Sequence, residues 1–282
     1  MHIIIGCEHE QNSITDILIA SIEASTFNLD VKFHRGYQLF EQLPAEFQQS
    51  LKKSRGAGGT VFSIQRLYGF IIFKEPCLYI DSDMIVTSDF KKLLDICCTF
   101  VDKGSVYVTE ACPEYGVQSS LSYWPSNLYT EQERSDLSKD IIANFLSTGS
   151  IDRALTDVMK ICPNIPGSWN CREAEKIKQG DFDLAHFTDM GDQPWLRRRS
   201  KYGEIWHQLV IDLTSNGADL MPMIYSAVFK KEIGPWVGAL HKSNVWMNIT
   251  YIPKYTGRNS KLKIAKQLLR LIRNIRDEIF RS

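Results

Sequence analysis

The sequence has no excess of charge of either sign, no cysteine framework and no long apolar run. Its 33 Lys and Arg balance 33 Asp and Glu, so no overall field draws the protein to nucleic acid or repels it from acidic substrates. The seven cysteines are odd in number, include the adjacent Cys97 and Cys98 and show no C-x-x-C spacing. That argues against a disulfide framework and a zinc site, and fits a reducing cytosol. Nowhere do about twenty apolar residues follow one another, and the opening MHIIIGCEHEQ lacks the basic flank and apolar length of a secretion signal. The expectation is a cytoplasmic protein that neither spans a membrane nor is secreted, and the Asn248-Ile249-Thr250 sequon is read as chance. Internal repeats and low-complexity linkers are missing too. The basic, glycine-rich stretch KKSRGAGG at 52–59 is not a phosphate-binding P-loop, because no Gly-Lys-Ser/Thr follows it.

What is present is enough for a full core. With 282 residues and 44% apolar content, the chain can form one large α/β domain or a domain with a small appendage. A β-branched run at 2–6 leads to SITDILIASIEAS, where Ile14, Leu18 and Ile22 recur at helical spacing and Ser13 with Asp16 resembles a capping box. A second β-type run lies at 31–33. Strand, helix, strand is the unit of a parallel α/β sheet, and nucleotides commonly bind at the carboxyl ends of such strands. Further on we expect a helical stretch from 60 to about 70 and a strand in CLYIDSDMIV. A helix near 89–97, capped by Thr87 or Ser88, and a strand near 105–109 come next. A helix near 131–145 precedes a short strand within DLAHFTDMGDQPW (183–195), and an amphipathic helix over 202–215 includes Trp206. A soft boundary near 256 separates a domain of residues 1–256 from a basic tail, 257–282.

The most informative segment is CLYIDSDMIV. Its apolar run suits a strand buried on both faces, and it ends abruptly in Asp81 and Asp83. Two carboxylates at a strand end are hard oxygen ligands that suit magnesium or manganese. Unit like charges 4 Å apart repel by about 4 kcal/mol at an effective dielectric near 20, so a bound diphosphate needs a cation beside such a pair. A D-x-D triplet alone is expected about once by chance in a chain this long; its position after the apolar strand singles it out. His186, ending another predicted strand, offers an imidazole nitrogen to the same metal; the plainer reading of such a histidine is a hydrogen-bonded core residue.

The segment GTVFSIQRLYGFIIFKEPCLYIDSDMIV, with Thr60, Phe62, Ser63 and Arg66 ahead of the D-x-D-M strand, and the later HFTDMGDQPW resemble glycosyltransferase family 8, the glycogenin-like retaining enzymes. The likeness covers roughly residues 1–215. It implies an α/β glycosyltransferase-A fold, a Rossmann-like mixed sheet with flanking helices, and transfer of a hexose from a UDP-sugar with manganese (or magnesium) as cofactor. Asp81, Asp83 and His186 match the family's metal ligands, and Arg66 the arginine that reaches the donor. Gly6, Cys7 and Glu8 occupy the first-strand end that cradles uridine, though the family more often has Asp at Glu8, and Ser82 lies between the carboxylates. Gln118 and Ser120, in GVQSSLSYW, match a strand lining the sugar pocket. Asp152 matches the Asp of an Asp-Gln pair whose glutamine is missing here. Trp169 and Asn170, in IPGSWN, match a stretch shaping the acceptor side; a buried aromatic anchor is the plainer reading of Trp169. No residue clearly offers a nucleophilic carboxylate, so a same-face displacement assisted by Arg66 and the metal is expected.

The tail at 260–282 carries seven Lys or Arg against Asp277 and Glu278, with Ile264, Leu268, Leu271, Ile272, Ile275 and Ile279 at helical spacing. It reads as an amphipathic helix suited to an anionic membrane surface on the cytoplasmic face, or as a helix docked on the domain. A saccharide or lipid-linked saccharide is the expected acceptor, and nucleic acid is not an expected partner. Two rival readings are a nucleotidyltransferase, disfavoured because Cys7-Glu8-His9-Glu10 replaces the usual Gly-rich, Arg-containing loop, and a non-catalytic saccharide- or membrane-binding protein on a degenerate transferase fold.

Overall fold

The computed structural model describes residues 1–26, 28–53, 63–112, 116–172, 180–188, 193–196 and 202–215, with Ile177, Ser200, Leu220, Ile224 and Ala227. The chain runs through β1 (His2–Gly6), α1 (Asn12–Ser25), β2 (Lys32–Arg35), α2 (Gly36–Leu39), α3 (Ala45–Lys53) and α4 (Tyr68–Ile72). Next come β3 (Cys77–Asp81), β4 (Met84–Val86), α5 (Phe90–Cys98), β5 (Ser105–Cys112), β6 (Gly116–Trp124) and α6 (Glu131–Thr148). The described elements end with α7 (Ile151–Val158), β7 (Lys160–Ile165), β8 (Leu184–His186) and α8 (Gly203–Ser215).

Six strands form one sheet in the order β2-β1-β3-β6-β5-β7. β1 is parallel to β2 and β3, β6 is antiparallel to β3 and β5, and β7 is parallel to β5. β4 and β8 form a separate antiparallel pair. Side chains alternate across a strand, and the two central strands show it directly. Ile4, Cys77 and Tyr79 enter one core with residues of α3, α4, α6 and α7. Ile3, Ile5, Leu78 and Ile80 enter the other with Leu18 and Ile22 of α1 and Phe90, Leu93 and Cys97 of α5. Helices on both faces are why the two strands read as unbroken apolar runs. Each fully buried Ile or Leu contributes about 1.5–3 kcal/mol, and the sum holds the carboxyl ends of β1 and β3 rigid.

Several boundaries differ from the sequence reading, each for a local reason. α5 is capped by Asp89, whose side chain accepts from the Lys91 amide. Thr87 and Ser88 do not serve, because their amides donate to the Asp183 carbonyl and tie β4 to the segment entering β8. The Ser13–Asp16 box does not form either: Asp16 instead pairs with Arg35 at 2.5 Å, and the α1 N-cap is Gln11. α6 extends three residues beyond 145 because Gly149, at φ 67°, supplies the left-handed residue that ends it. The predicted 60–70 helix is a 3-10 turn at Ser63–Leu67 followed by α4; Thr60 and Phe62 lie outside the described residues.

The chain divides into two compact units, Met1–Thr188 and Asp189–Ser282. In the second, α8 buries Trp206, whose ring lies 6.1 Å from that of Trp195. The boundary at 256 and the tail at 257–282 lie outside the described residues. Among the described residues, no helix is long and apolar enough to cross a membrane.

At the amino end of β1, His2 stacks on Phe73 at 3.9 Å and its Nδ1 lies 2.8 Å from Nε2 of His34 in β2. Burial lowers the pKa of both histidines; His2 adds its own charge at His34, and Glu75 partly opposes the shift at His2. A histidine depressed in the folded state binds its proton more readily when unfolded. Its contribution is therefore complete above the unfolded pKa, near 6.5, and is lost as pH falls through the folded value. Urea midpoints should drop between pH 7.5 and 5.5, and less in His34→Gln than in the wild type. Equal drops in the two proteins would count against this pair.

Candidate active site

The carboxyl ends of β1 and β3 lie side by side, because Gly6 is in register with Asp81 and the Ser82 amide donates to the Gly6 carbonyl at 3.0 Å. β4 follows immediately, and its antiparallel pairing sets Met84 opposite His186. The His186 amide donates to the Cys171 carbonyl at 2.8 Å and the Phe187 amide to the Asp83 carbonyl at 2.9 Å. Three ligand atoms, one each from Asp81, Asp83 and His186, thus lie within 4.8 Å of one another. The residues expected to bind metal converge.

His186 is 2% exposed. Its Nε2 lies 3.2 Å from Asp83 Oδ1 and 3.9 Å from Asp81 Oδ2, yet makes no hydrogen bond. A buried imidazole nitrogen at ion-pair distance from two carboxylates, and aligned for a hydrogen bond to neither, places three ligand atoms around one point. A divalent cation is the species that two carboxylate oxygens and one imidazole nitrogen fit. The other ring nitrogen, Nδ1, lies 2.7 Å from Asn170 Oδ1.

Asp81 is restrained from both sides. Tyr79 Oη donates to its Oδ1 at 2.5 Å, and Arg66 Nη2 lies 3.5 Å from its Oδ2. Burial pushes the Asp81 pKa up, reinforced by Asp83 and opposed by Arg66 and His186. At Asp83 burial acts in the same direction, but the proximity of His186 outweighs it and holds the carboxyl below its usual range. Burial also works against the Arg66 charge, and Asp81, Tyr79 and Asp152 more than compensate, so Arg66 stays a cation.

Arg66 has a second set of contacts. Nη1 donates to Ser119 Oγ at 2.8 Å and lies 3.3 Å from Asp152 Oδ1. Ser119 also binds that Asp152 oxygen through its hydroxyl and through its amide at 3.3 Å. Asp152, in the first turn of α7, is thereby linked through Arg66 to Asp81. Gln118 sits beside Ser119 on β6, half-buried, in register with Thr109 of β5. The β5–β6 register breaks between the pairs Val108↔Ser122 and Thr109↔Gln118. Such bulges re-aim side chains, and Ser119 and Ser120 lie within this one.

Some expected residues are placed differently. Cys7 is fully buried, and Gln65 accepts from its amide at 2.9 Å and donates to its carbonyl at 3.1 Å. Both backbone groups of Cys7 are therefore taken by Gln65. Ser120 is 2% exposed and sits 3.1 Å from Asn170 Nδ2, so it braces Asn170. Trp169 is a buried core residue against Phe90, the plainer of its two readings. Asn170 is turned to His186. Glu8 is exposed at the end of β1, and Ser82 is buried with its hydroxyl 3.5 Å from Gln11 Oε1. Tyr79, Ser119 and Gln65 were not foreseen. Tyr79 had a signal, since it precedes Asp81 by two residues on one strand and so shares its face.

No protein-family model matches the sequence, and no curated protein does. Solved structures do. The galactosyltransferase LgtC, in complex with donor and acceptor sugar analogs, is 14% identical with a TM-score of 0.50, over 76% of this chain and 96% of that one. The glycosyltransferase GlyE of Streptococcus pneumoniae, in its apo form, is 13% identical with a TM-score of 0.51, over 82% of this chain. This chain spans 64% of the length of GlyE. The likeness establishes the fold: a mixed α/β sheet flanked by helices, of the glycosyltransferase-A kind, as the family resemblance implied.

A Cβ on Gly6 would lie 1.8 Å from Tyr79 Oη and 2.5 Å from its Cζ. Gly6→Ala must therefore displace the ring that holds Asp81. We expect a loss of about 1–3 kcal/mol in urea unfolding; an unchanged midpoint would show that the ring gives way freely.

Proposed function

We propose that the protein is a metal-dependent, retaining glycosyltransferase that moves a hexose from a UDP-sugar to a saccharide or lipid-linked saccharide acceptor. The observation that carries the reading is the convergence of ligand atoms from Asp81, Asp83 and His186 within 4.8 Å of one another, at the carboxyl ends of parallel strands where nucleotides bind.

Asp81, Asp83 and His186 would hold manganese or magnesium, and a mixed oxygen and imidazole set suits manganese. When bound, such a cation neutralises charge developing on a departing diphosphate. The residues of this chain do the rest. Arg66 keeps its charge and leaves Nε buried and unpaired among the described residues, so it has a donor to offer a phosphate oxygen. Gly6 and Glu8, at the end of β1, border the same place and are assigned to the nucleoside. Asp152 already receives three donors on Oδ1, which blunts it as a nucleophile and suits it to orienting a sugar hydroxyl beside Gln118. With no free carboxylate assigned to a covalent step, displacement on the face the diphosphate leaves is the mechanism these residues support. The positively charged tail would hold the enzyme at an anionic membrane surface, where lipid-linked acceptors reside.

With a panel of UDP-sugars, we expect manganese-dependent UDP release from one donor, abolished by chelator and reduced about hundredfold or more in Asp83→Ala, since a metal supplies several kcal/mol at this step. No donor binding and no release with any divalent metal would favour the non-catalytic reading. For the tail, co-sedimentation of the full chain with phosphatidylserine vesicles should fall about a hundredfold in Lys261→Ala/Lys263→Ala/Lys266→Ala, at about 1 kcal/mol for each basic residue. Equal binding by both proteins would mean that the tail does not serve as an anchor.

A further inference from the structure

The hydrogen bonds around Asn170 decide something that the three ligands do not. Asn170 ends the 3-10 turn Gly167–Asn170, just ahead of Cys171, which bridges to Ala185 in β8. Its amide nitrogen is held by two hydroxyls of the main sheet, Thr109 Oγ1 at 3.0 Å and Ser120 Oγ at 3.1 Å. Its oxygen is presented to His186 Nδ1 at 2.7 Å. An amide oxygen only accepts, so the ring nitrogen facing it carries the proton.

We propose that Asn170 is a positioning residue that fixes His186 as its Nδ1–H tautomer and thereby keeps Nε2 as a lone-pair ligand for the divalent cation. The inference rests on the reading that Asp81, Asp83 and His186 hold a metal. The rival arrangement turns the amide over, so that Asn170 donates to Nδ1 and the proton moves to Nε2. Asp83 Oδ1 is 3.2 Å from Nε2 but outside hydrogen-bonding geometry. That arrangement leaves the proton on Nε2, between the imidazole and the two carboxylates, and closes the site to metal. With Nδ1 holding its proton against Asn170, Nε2 is the nitrogen left to meet a cation. Outer partners of this kind orient metal-bound histidines and raise their basicity.

The test is 15N NMR of histidine-labelled, chelator-treated protein, with His186 assigned by its absence in His186→Gln, alongside manganese affinity by electron paramagnetic resonance. In the wild type we expect Nδ1 to stay protonated against Asn170. Asn170→Ala should mix the tautomers and weaken manganese about ten- to hundredfold, whereas Asn170→Asp, which keeps the acceptor, should hold the Nδ1–H form and stay within about threefold of wild type. Should Asn170→Ala fail to fold, Thr109→Val/Ser120→Ala removes the anchors and should shift both readouts in the same direction. An unprotonated Nδ1 in the wild type overturns the proposal, as do an unchanged His186 spectrum and unchanged affinity in these variants. A wild type that shows Nδ1–H but binds no manganese instead defeats the metal reading beneath it, so the two failures are distinguishable.

Discussion

Two carboxylates held against one buried imidazole are the constraint on which the rest of this structure depends. Left to relax, Asp81 and Asp83 would turn apart into water; they stay because strand β3 is locked on both faces and Tyr79 and Arg66 grip Asp81. The same grip reaches the sugar side. Arg66 shares its guanidinium between Asp81 and the Ser119–Asp152 pair, so the proposed metal and sugar sites are joined through one cation. Buried ion networks rarely raise stability in themselves, but they hold their members in one arrangement. The energy that sustains the crowding comes from the two apolar cores.

The geometry divides the work between two sheets. Asp81 belongs to the large sheet, and His186 to the two-stranded pair. Asn170 joins them, since its amide touches β5 and β6 on one side and His186 on the other. The register break between β5 and β6 makes this possible by bringing Ser119 and Ser120 to bear on Arg66 and Asn170.

What was legible in the sequence follows from which patterns are local. Apolar runs bounded by acids made β1 and β3 readable, and the D-x-D triplet and His186 carried enough of a family pattern to be paired across a long gap. Residues that act through tertiary contact were not readable. Gln65 occupies both backbone groups of Cys7, yet nothing in its neighbourhood marks it. The bulge in β6 leaves no mark in GVQSSLSYW, so the contact of Ser120 with Asn170 could not be read from it. Asp89 displaced Thr87 and Ser88 as the cap because the backbone of those two was already committed to another strand, a fact no local rule contains.

The pairing of β4 with β8 has one more consequence, for the order in which the molecule assembles. Met84 and His186 are opposite in space but separated by roughly a hundred residues along the chain, and contacts of such separation form slowly. Until β8 docks, Asp81 and Asp83 have no imidazole beside them, and a partly folded chain presents only a pair of carboxylates. The proposed three-ligand site would therefore exist only in the finished fold, and a cation bound there would hold the fold once made rather than nucleate it.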